Sequence, residues 1–289
     1  CVSKKRFDVV SELAAPLSAS LIGDLIGVEE SEQIQLMRFG TSPPLGGVVT
    51  EDDRHSPLFP VMLGYAGQQG NKATEFFDVL IEERRTSPRD DLVSALAQIP
   101  EQEIEGRIDV GALLLEQLGA GQSTTTHAIS SLLHHLCSNQ DQTAMLRTNR
   151  ELASSAVEET VRCSAPIQAR QRIATQDFEL PGGHVVRSGS LGLGWLQAAN
   201  FDPTVFQNPT KFDITRNPNP HIAFGFGVHY CLGQGLARME TRVVLEELLD
   251  RTDDVQRVSN DPIEWADGFI IRGPRELIVE VEPSKHHRR

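Results

Sequence analysis

Over the first 150 residues the apolar positions recur mostly at helical spacing. Val9 to Leu25 carries an apolar stripe interrupted by Pro16. Thr74 to Arg84 carries Phe76, Phe77, Val79, Leu80 and Ile81 at helical spacing. Asp90 to Ile99 predicts a shorter helix that Pro100 ends, and Pro43, Pro44, Gly46 and Gly47 predict a loop. The longest proline-free stretch runs from Asp109 to Cys137, a rod of roughly 40 Å at ~1.5 Å per residue.

That rod is leucine-rich at both ends and small or polar in its middle. Ala120 and Gly121 are followed, after Gln122, by Ser123, Thr124, Thr125 and Thr126. Hydroxyls in a row lower helix propensity and can bond back to the preceding turn. Two readings stand: a buried helix with a weak middle, or a helix whose middle lets something approach closely.

Asn149 predicts a cap for a helix running to Cys163, ended by Pro166, with Glu159 and Arg162 three apart on one face. The period then changes. Ile173, Thr175, Phe178 and Leu180 alternate with polar residues, Pro181-Gly182-Gly183 turns the chain, and Val185-Val186 resumes it. Asn200 to Pro220 has no period and predicts a long irregular loop. Leu232 to Leu249 has apolar residues at 232, 236, 239, 243, 244 and 248, an amphipathic helix. Two strand-like runs follow, Phe269–Ile271 and Leu277–Val281, before a basic SKHHRR end. The fold class is mainly α with a small β region.

The chain has 289 residues, 39% of them hydrophobic, so a real core is feasible. A net charge of -13 argues against nucleic acid as partner, and against a strongly anionic membrane surface. No apolar run reaches the length of a membrane span. Four cysteines, at 1, 137, 163 and 231, form no C-x-x-C, which predicts a reducing, cytoplasmic setting.

Cys231 stands in FGFGVHYCLG, Phe224 to Gly233, where a helix is about to start. Unpaired N–H groups at a helix start favour a thiolate. Gly225, Gly227 and Gly233 let backbone lie close to a flat partner, Phe224 and Phe226 supply apolar cover, and His229 can donate to a nearby anion. Three readings are open: a buried structural cysteine, a nucleophile needing a base elsewhere, or a single thiolate ligand. One thiolate cannot hold zinc or a cluster, but it can hold haem, whose porphyrin supplies four other ligands.

The segment resembles the haem-binding signature of the cytochrome P-450 superfamily, Phe-Gly-x-Gly-x-His-x-Cys-x-Gly, with every fixed position filled. AGQSTTT resembles the family's oxygen-binding groove. Glu159-Thr160-Val161-Arg162 resembles its Glu-x-x-Arg. The stretch from Ala198 to Gly227 resembles the approach to the haem loop in soluble bacterial-type members. The resemblance implies one domain over 1–289 with haem b (iron protoporphyrin IX) as cofactor. Cys231 would be the iron ligand, and His229 and Arg172 the propionate holders. Glu159 and Arg162 would be a buried pair bracing the loop. Lys211, in Pro209-Thr210-Lys211-Phe212, matches the family's third partner, an arginine. Ala120 and Gly121 would leave room for dioxygen, and Thr124 would guide protons. Ile167, Gln168, Ala169, Phe269 and Ile270 to Ile271 fall where the family contacts substrate. The implied reaction is monooxygenation of a small organic molecule by O2, in secondary metabolism and as a monomer. Electrons would come from NAD(P)H through a ferredoxin or flavodoxin-like donor.

Two departures stand out. Ser123 replaces the acid that usually precedes Thr124, and a serine cannot supply a proton at neutral pH. That keeps peroxygenase or nitric oxide reductase chemistry as an alternative. The first 28 residues resemble a stretch well inside a full-length member. The resemblance therefore implies that early helices and most of the main sheet are lost, and predicts poor haem binding by the chain as given. A non-catalytic fragment or recruitment module is the third reading.

Overall fold

The structure, a computed structural model, describes residues 1–29, 68–100, 109–259, 261–266 and 270–285, with side chains of 68–74 left aside. The loop expected at 43–47 lies outside them, as does Phe269. The chain forms two compact units: Leu13–Thr126, and Cys1–Glu12 with His127–Arg289.

In the unit Leu13–Thr126, helix α1 (Ala15–Ile26) has Pro16 in its first turn. There the missing N–H is no loss, so the proline starts the helix rather than breaking it. A π-helical turn, Val9–Ala14, precedes it. Helices α2 (Gln68–Thr86) and α3 (Leu92–Ala97) follow, then α4 (Val110–Ser138), whose first half belongs to this unit. The core joins Ile22, Ile26, Phe77, Leu80, Ile81, Val93, Leu114 and Leu118. A polar knot lies beside it. Arg84, fully buried, donates to Asp91 and to the Gly27 carbonyl, each at 3.0 Å. Asp91 also caps α3, accepting from Ser94 N at 2.6 Å. Val9–Ile26 is long and apolar enough to cross a membrane by length and composition, contrary to the sequence expectation. The apolar positions Ala19, Ile22 and Ile26 are buried in protein.

In the other unit, the start of the chain is a strand, although its text reads as helix. β1 (Arg6–Asp8) pairs antiparallel with β7 (Ile278–Pro283), which pairs antiparallel with β6 (Thr252–Arg257). Phe7 faces Val279 and Val255 faces Val281, all four buried, while Arg6, Asp254, Glu280 and Glu282 alternate outward or to the edge. Two small antiparallel pairs sit elsewhere: β2 (Arg170–Ile173) with β5 (Leu191–Gly194), and β3 (Phe178–Glu179) with β4 (Val185–Val186). Around them stand the second half of α4, α5 (Gln140–Thr148), α6 (Ala153–Cys163), the single turn α7 (Leu196–Ala199) and α8 (Gln234–Arg251). Asn149 caps a 3-10 turn (Arg150–Leu152) that leads into α6, accepting from Glu151 N. In α8 the buried face is Thr241, Val244, Leu245, Leu248 and Leu249, so only part of the expected stripe points inward. Met239 and Val243 are exposed, as is Leu232, which precedes the helix.

Candidate functional site

The segment around Cys231 is a closed loop. Gly225 and Gly227 have φ of +80° and +67°, which L side chains rarely adopt. A Cβ on Gly225 would stand 3.3 Å from the His229 carbonyl. Cys231 N donates to the Phe224 carbonyl at 2.9 Å, and Gln234 N to the Cys231 carbonyl at 3.4 Å as α8 begins. His229 closes a 3-10 turn, Gly227–His229, and is exposed. Cys231 is half-buried and free of any disulfide. Around it Phe226, Val228 and Leu232 are exposed by 82%, 98% and 88%. A Cβ at Gly233 or Gly235 would meet nothing. A lone thiol, open glycine backbone and bare apolar side chains are what a flat apolar macrocycle with one axial thiolate requires. Among the described residues no cluster of three His, Cys, Asp or Glu offers a metal site of another kind. The donor set therefore fits haem.

Behind the loop lies a buried charge centre. Glu159 and Arg162, both fully inaccessible, meet twice: Nε to Oε2 and Nη2 to Oε1, each 2.8 Å. Arg162 spends its remaining N–H groups on backbone carbonyls: Asn200 (2.9 Å), Pro209 (2.8 Å) and Lys211 (3.2 Å). Phe201 and Phe206 cover its guanidinium plane, 5.4 and 5.3 Å away. Thus the irregular stretch 200–220 is held by its backbone. The Lys211 side chain is not the third partner. It points outward, 63% exposed, 3.9 Å from Asp213. Arg216 takes that place, with Nε 3.2 and 3.1 Å from the two Glu159 oxygens and further bonds to the Gln207, Asn208 and Lys211 carbonyls. Asp213 N, Asn219 Nδ2 and, at 3.8 Å, Cys163 Sγ also donate to the carboxylate. Sequence reading missed Arg216 because no period fixes the register of this stretch; its one signal was an arginine five residues past Lys211.

Glu158, next on α6, ties the loop from another side. It accepts from His221 at 2.8 Å and from Arg238 of α8. Arg238 lies 4.2 Å over the Phe224 ring. Burial pushes the Glu158 carboxyl up, but the bonds from His221 and Arg238 outweigh it and hold it at about 2. Glu240, also on α8, is the opposite case: 94% buried, with Oε2 unpartnered, it is raised by burial to about 7. No sequence signal singled it out.

Arg172 is exposed on β2, its guanidinium against the Gln171 carbonyl. The two segments expected to contact substrate are brought together: Ile167 bridges Ile271, and Gln168 N donates to the Ile270 carbonyl at 2.7 Å. Ile167 and Ala169 are buried. In the middle of α4 the hydroxyls bond back along the helix, Ser123 to Gly119, Thr124 to Ala120 (2.6 Å) and Thr126 to Gln122. Ala120 is exposed. Gly121 is not an opening: a Cβ there would stand 2.8 Å from Ile22 Cδ1, so the glycine admits α1.

A family model described as "Cytochrome P450" matches residues 55–262. The cytochrome P450 126 of Mycobacterium tuberculosis is 37% identical over 279 residues, 95% of this chain, and the chain spans 65% of that relative's length. The steroid C26-monooxygenase of Mycolicibacterium smegmatis is 34% identical over 281 residues, with 96% of this chain and 67% of the relative covered. Among solved structures, P450BioI in complex with a hexadec-9Z-enoic acid-ligated acyl carrier protein superposes with a TM-score of 0.84. It is 33% identical, and the match covers 97% of this chain and 70% of that one.

Proposed function

Since this chain belongs to the cytochrome P450 family, we propose that it acts, as one domain over 1–289, as a haem-thiolate monooxygenase on a small organic molecule. The observation that carries this reading is the Cys231 loop: a lone cysteine beside left-handed glycines and bare apolar side chains, braced from behind by a buried ion pair. Cys231 Sγ would be the iron ligand, and His229 and Arg172 would hold the propionates. Haem bound there supplies the activation of dioxygen. Glu159, Arg162 and Arg216 would brace the loop indirectly, by fixing the stretch 200–219 that leads into it. Thr124, whose hydroxyl hydrogen is given to the Ala120 carbonyl, keeps lone pairs that would accept a hydrogen bond from a water. Ile167 to Ala169 and Ile270 would form one wall against the substrate. A steroid enzyme and a protein solved with an acylated carrier among the relatives support an apolar substrate. Electrons would come from NAD(P)H through a ferredoxin or flavodoxin-like donor in the cytoplasm.

Ser123 favours a second reading, a peroxide-driven or nitric oxide-reducing enzyme on the same haem, because serine supplies no proton at pH 7. The test is haem titration of the 289-residue chain, followed by reduction under carbon monoxide. The chain is expected to take up less than one haem, and the fraction that binds is expected to give a thiolate-type band in the wild type and none in Cys231→Ser. A Cys231→Ser protein that keeps the band would sink the assignment. Product formed with NADPH plus ferredoxin, against product formed with peroxide, separates the two readings.

A further inference from the structure

The residues flanking Cys231 meet at one guanidinium that the proposed chemistry has not used. Both peptide groups of Cys231 are held: its N–H is given to the Phe224 carbonyl at 2.9 Å, and its carbonyl accepts from Gln234 N at 3.4 Å. Arg238, one turn into α8, touches both of those neighbours. Its guanidinium lies 4.2 Å over the Phe224 ring, and Nη1 donates to Gln234 Oε1. The side chain of Tyr230, the residue before Cys231, lies beside it as well. All of these residues belong to one compact unit.

Glu158 of α6 fixes Arg238 in that position. Nε and Nη2 donate to the two carboxylate oxygens, Nη2 at 2.9 Å, a two-pronged contact that sets the plane of the guanidinium. His221, whose Nδ1 accepts from Ala223 N, donates from Nε2 to the same carboxylate at 2.8 Å. Packing alone does not confine Arg238. Beside the pair a cleft of about 230 Å³ opens between α6 and α8, lined also by Ser154, Val157, Met239 and Arg242, and the Arg238 side chain is 29% exposed. Arg242, the next arginine along the helix, borders the same cleft but pairs with Glu246 at 3.8 Å.

A cation over a ring face is attracted to it, and a planar fork held at both tines cannot turn away from that ring. We propose that Arg238 is a positioning residue for Cys231: held by Glu158, it pins Phe224 and Gln234, and through them both peptide groups of the cysteine, and the Arg238–Glu158 pair sets the charge felt at the sulfur. This inference rests on the haem-thiolate reading for its purpose. Groups around an axial ligand tune how readily the iron it holds takes an electron. Reduction adds negative charge, which a nearby cation favours and a nearby anion opposes. The charges of Arg238 and Glu158 cancel. Removing either one leaves the other beside the loop, so the two removals shift the iron's reduction in opposite directions. A merely structural role gives no such opposition of sign.

The experiment has two arms, both on the full chain. In the first, without haem, hydrogen exchange of the Cys231 amide is followed by NMR beside the amides of Val255, Val279 and Val281, which lie buried in the β6–β7 pair and report unfolding of the whole unit. Arg238→Ala is expected to speed exchange at Cys231 roughly tenfold or more relative to the three valines. Arg238→Lys, which keeps the charge, should recover part of the protection, and Arg242→Ala should leave it unchanged. A Cys231 amide that keeps pace with the valines in Arg238→Ala, or is equally freed in Arg242→Ala, would overturn the clamp. In the second arm, the reduction midpoint of the haem-loaded fraction is titrated by absorbance. Arg238→Gln is expected to lower the reduction equilibrium roughly threefold to tenfold, or ~30–60 mV at about 59 mV per factor of ten. Glu158→Gln is expected to raise it, and the double variant to return close to wild type. Single variants that shift the same way, or not at all, would overturn the charge effect. A wild type without a thiolate-type carbon monoxide band would overturn the haem reading and the charge effect with it, while the exchange arm would still decide the clamp.

Discussion

Replacing Arg216 or Lys211 by alanine separates two assignments of the third member of the charge centre. Arg216 touches both oxygens of a carboxylate that has no solvent access, and is itself only 10% exposed. Its removal leaves Glu159 to a single guanidinium and strips the bonds to the Gln207, Asn208 and Lys211 carbonyls. Breaking a buried pair costs ~3–5 kcal/mol. Arg162 remains and water can enter at the exposed edge, so we expect the lower end, ~3 kcal/mol. Lys211→Ala removes an exposed pair 3.9 Å long, worth ~0.5 kcal/mol or less. Arg162→Lys should be the worst of the three, because an ammonium cannot reach the two carboxylate oxygens and three carbonyls at once. At ~2–4 °C per kcal/mol for a chain of this size, Arg216→Ala should lower the thermal midpoint by ~6–12 °C and Lys211→Ala by ~2 °C or less. Urea titration followed by circular dichroism gives the same comparison in free energy. A Lys211→Ala protein as damaged as Arg216→Ala, or an Arg216→Ala protein within ~0.5 kcal/mol of wild type, would refute the reasoning.

Two further outcomes follow from buried groups. The folded chain holds the Glu240 proton more tightly than the unfolded chain does, since burial raises that carboxyl from 4.5 to about 7. Its contribution is therefore fully present below pH ~4.5 and is lost as pH rises through ~7, a difference of ~3 kcal/mol. Glu240→Gln should flatten this dependence and be the more stable protein at pH 8; a variant less stable than wild type there would contradict it. Gly27→Ala should cost ~3 kcal/mol or more, because φ is +98° and the new Cβ would stand 2.3 Å from the Asp91 carboxyl that Arg84 holds. A thermal midpoint unchanged in that variant would show that the knot adjusts.

What sequence could reveal was set by how local the cause is. The long α4, the helix bearing Glu159 and Arg162, and the Cys231 loop are local patterns, and the structure holds each within a residue or two of its expected place. Strand β1 was read as helix because its partner lies about 270 positions away, and no local period reports such a pairing. The apolar stripe of α8 mixes inward Val244 and Leu248 with outward Met239 and Val243. An exposed apolar residue looks the same as a core one until its neighbours are known. Gly121 was read as space for a ligand, and the structure shows that the space is taken by Ile22. Arg84 is fully buried, and nothing local in the sequence marks it, since its partners Gly27 and Asp91 come from two other segments.

The stretch from Asn200 to Arg216 is gripped through its peptide groups: the carbonyls of Asn200, Gln207, Asn208, Pro209 and Lys211 all face two arginines. A carbonyl is common to every amino acid. The grip is therefore blind to most side-chain changes along the segment and sensitive to its length. Point substitutions at Thr204, Val205 or Thr210, whose carbonyls the arginines do not hold, should be absorbed. Insertion or deletion of a single residue between 207 and 211 would move a carbonyl away from its guanidinium and loosen the loop that carries Cys231. Across variants of this protein, drift in this segment should be wide in identity and narrow in length.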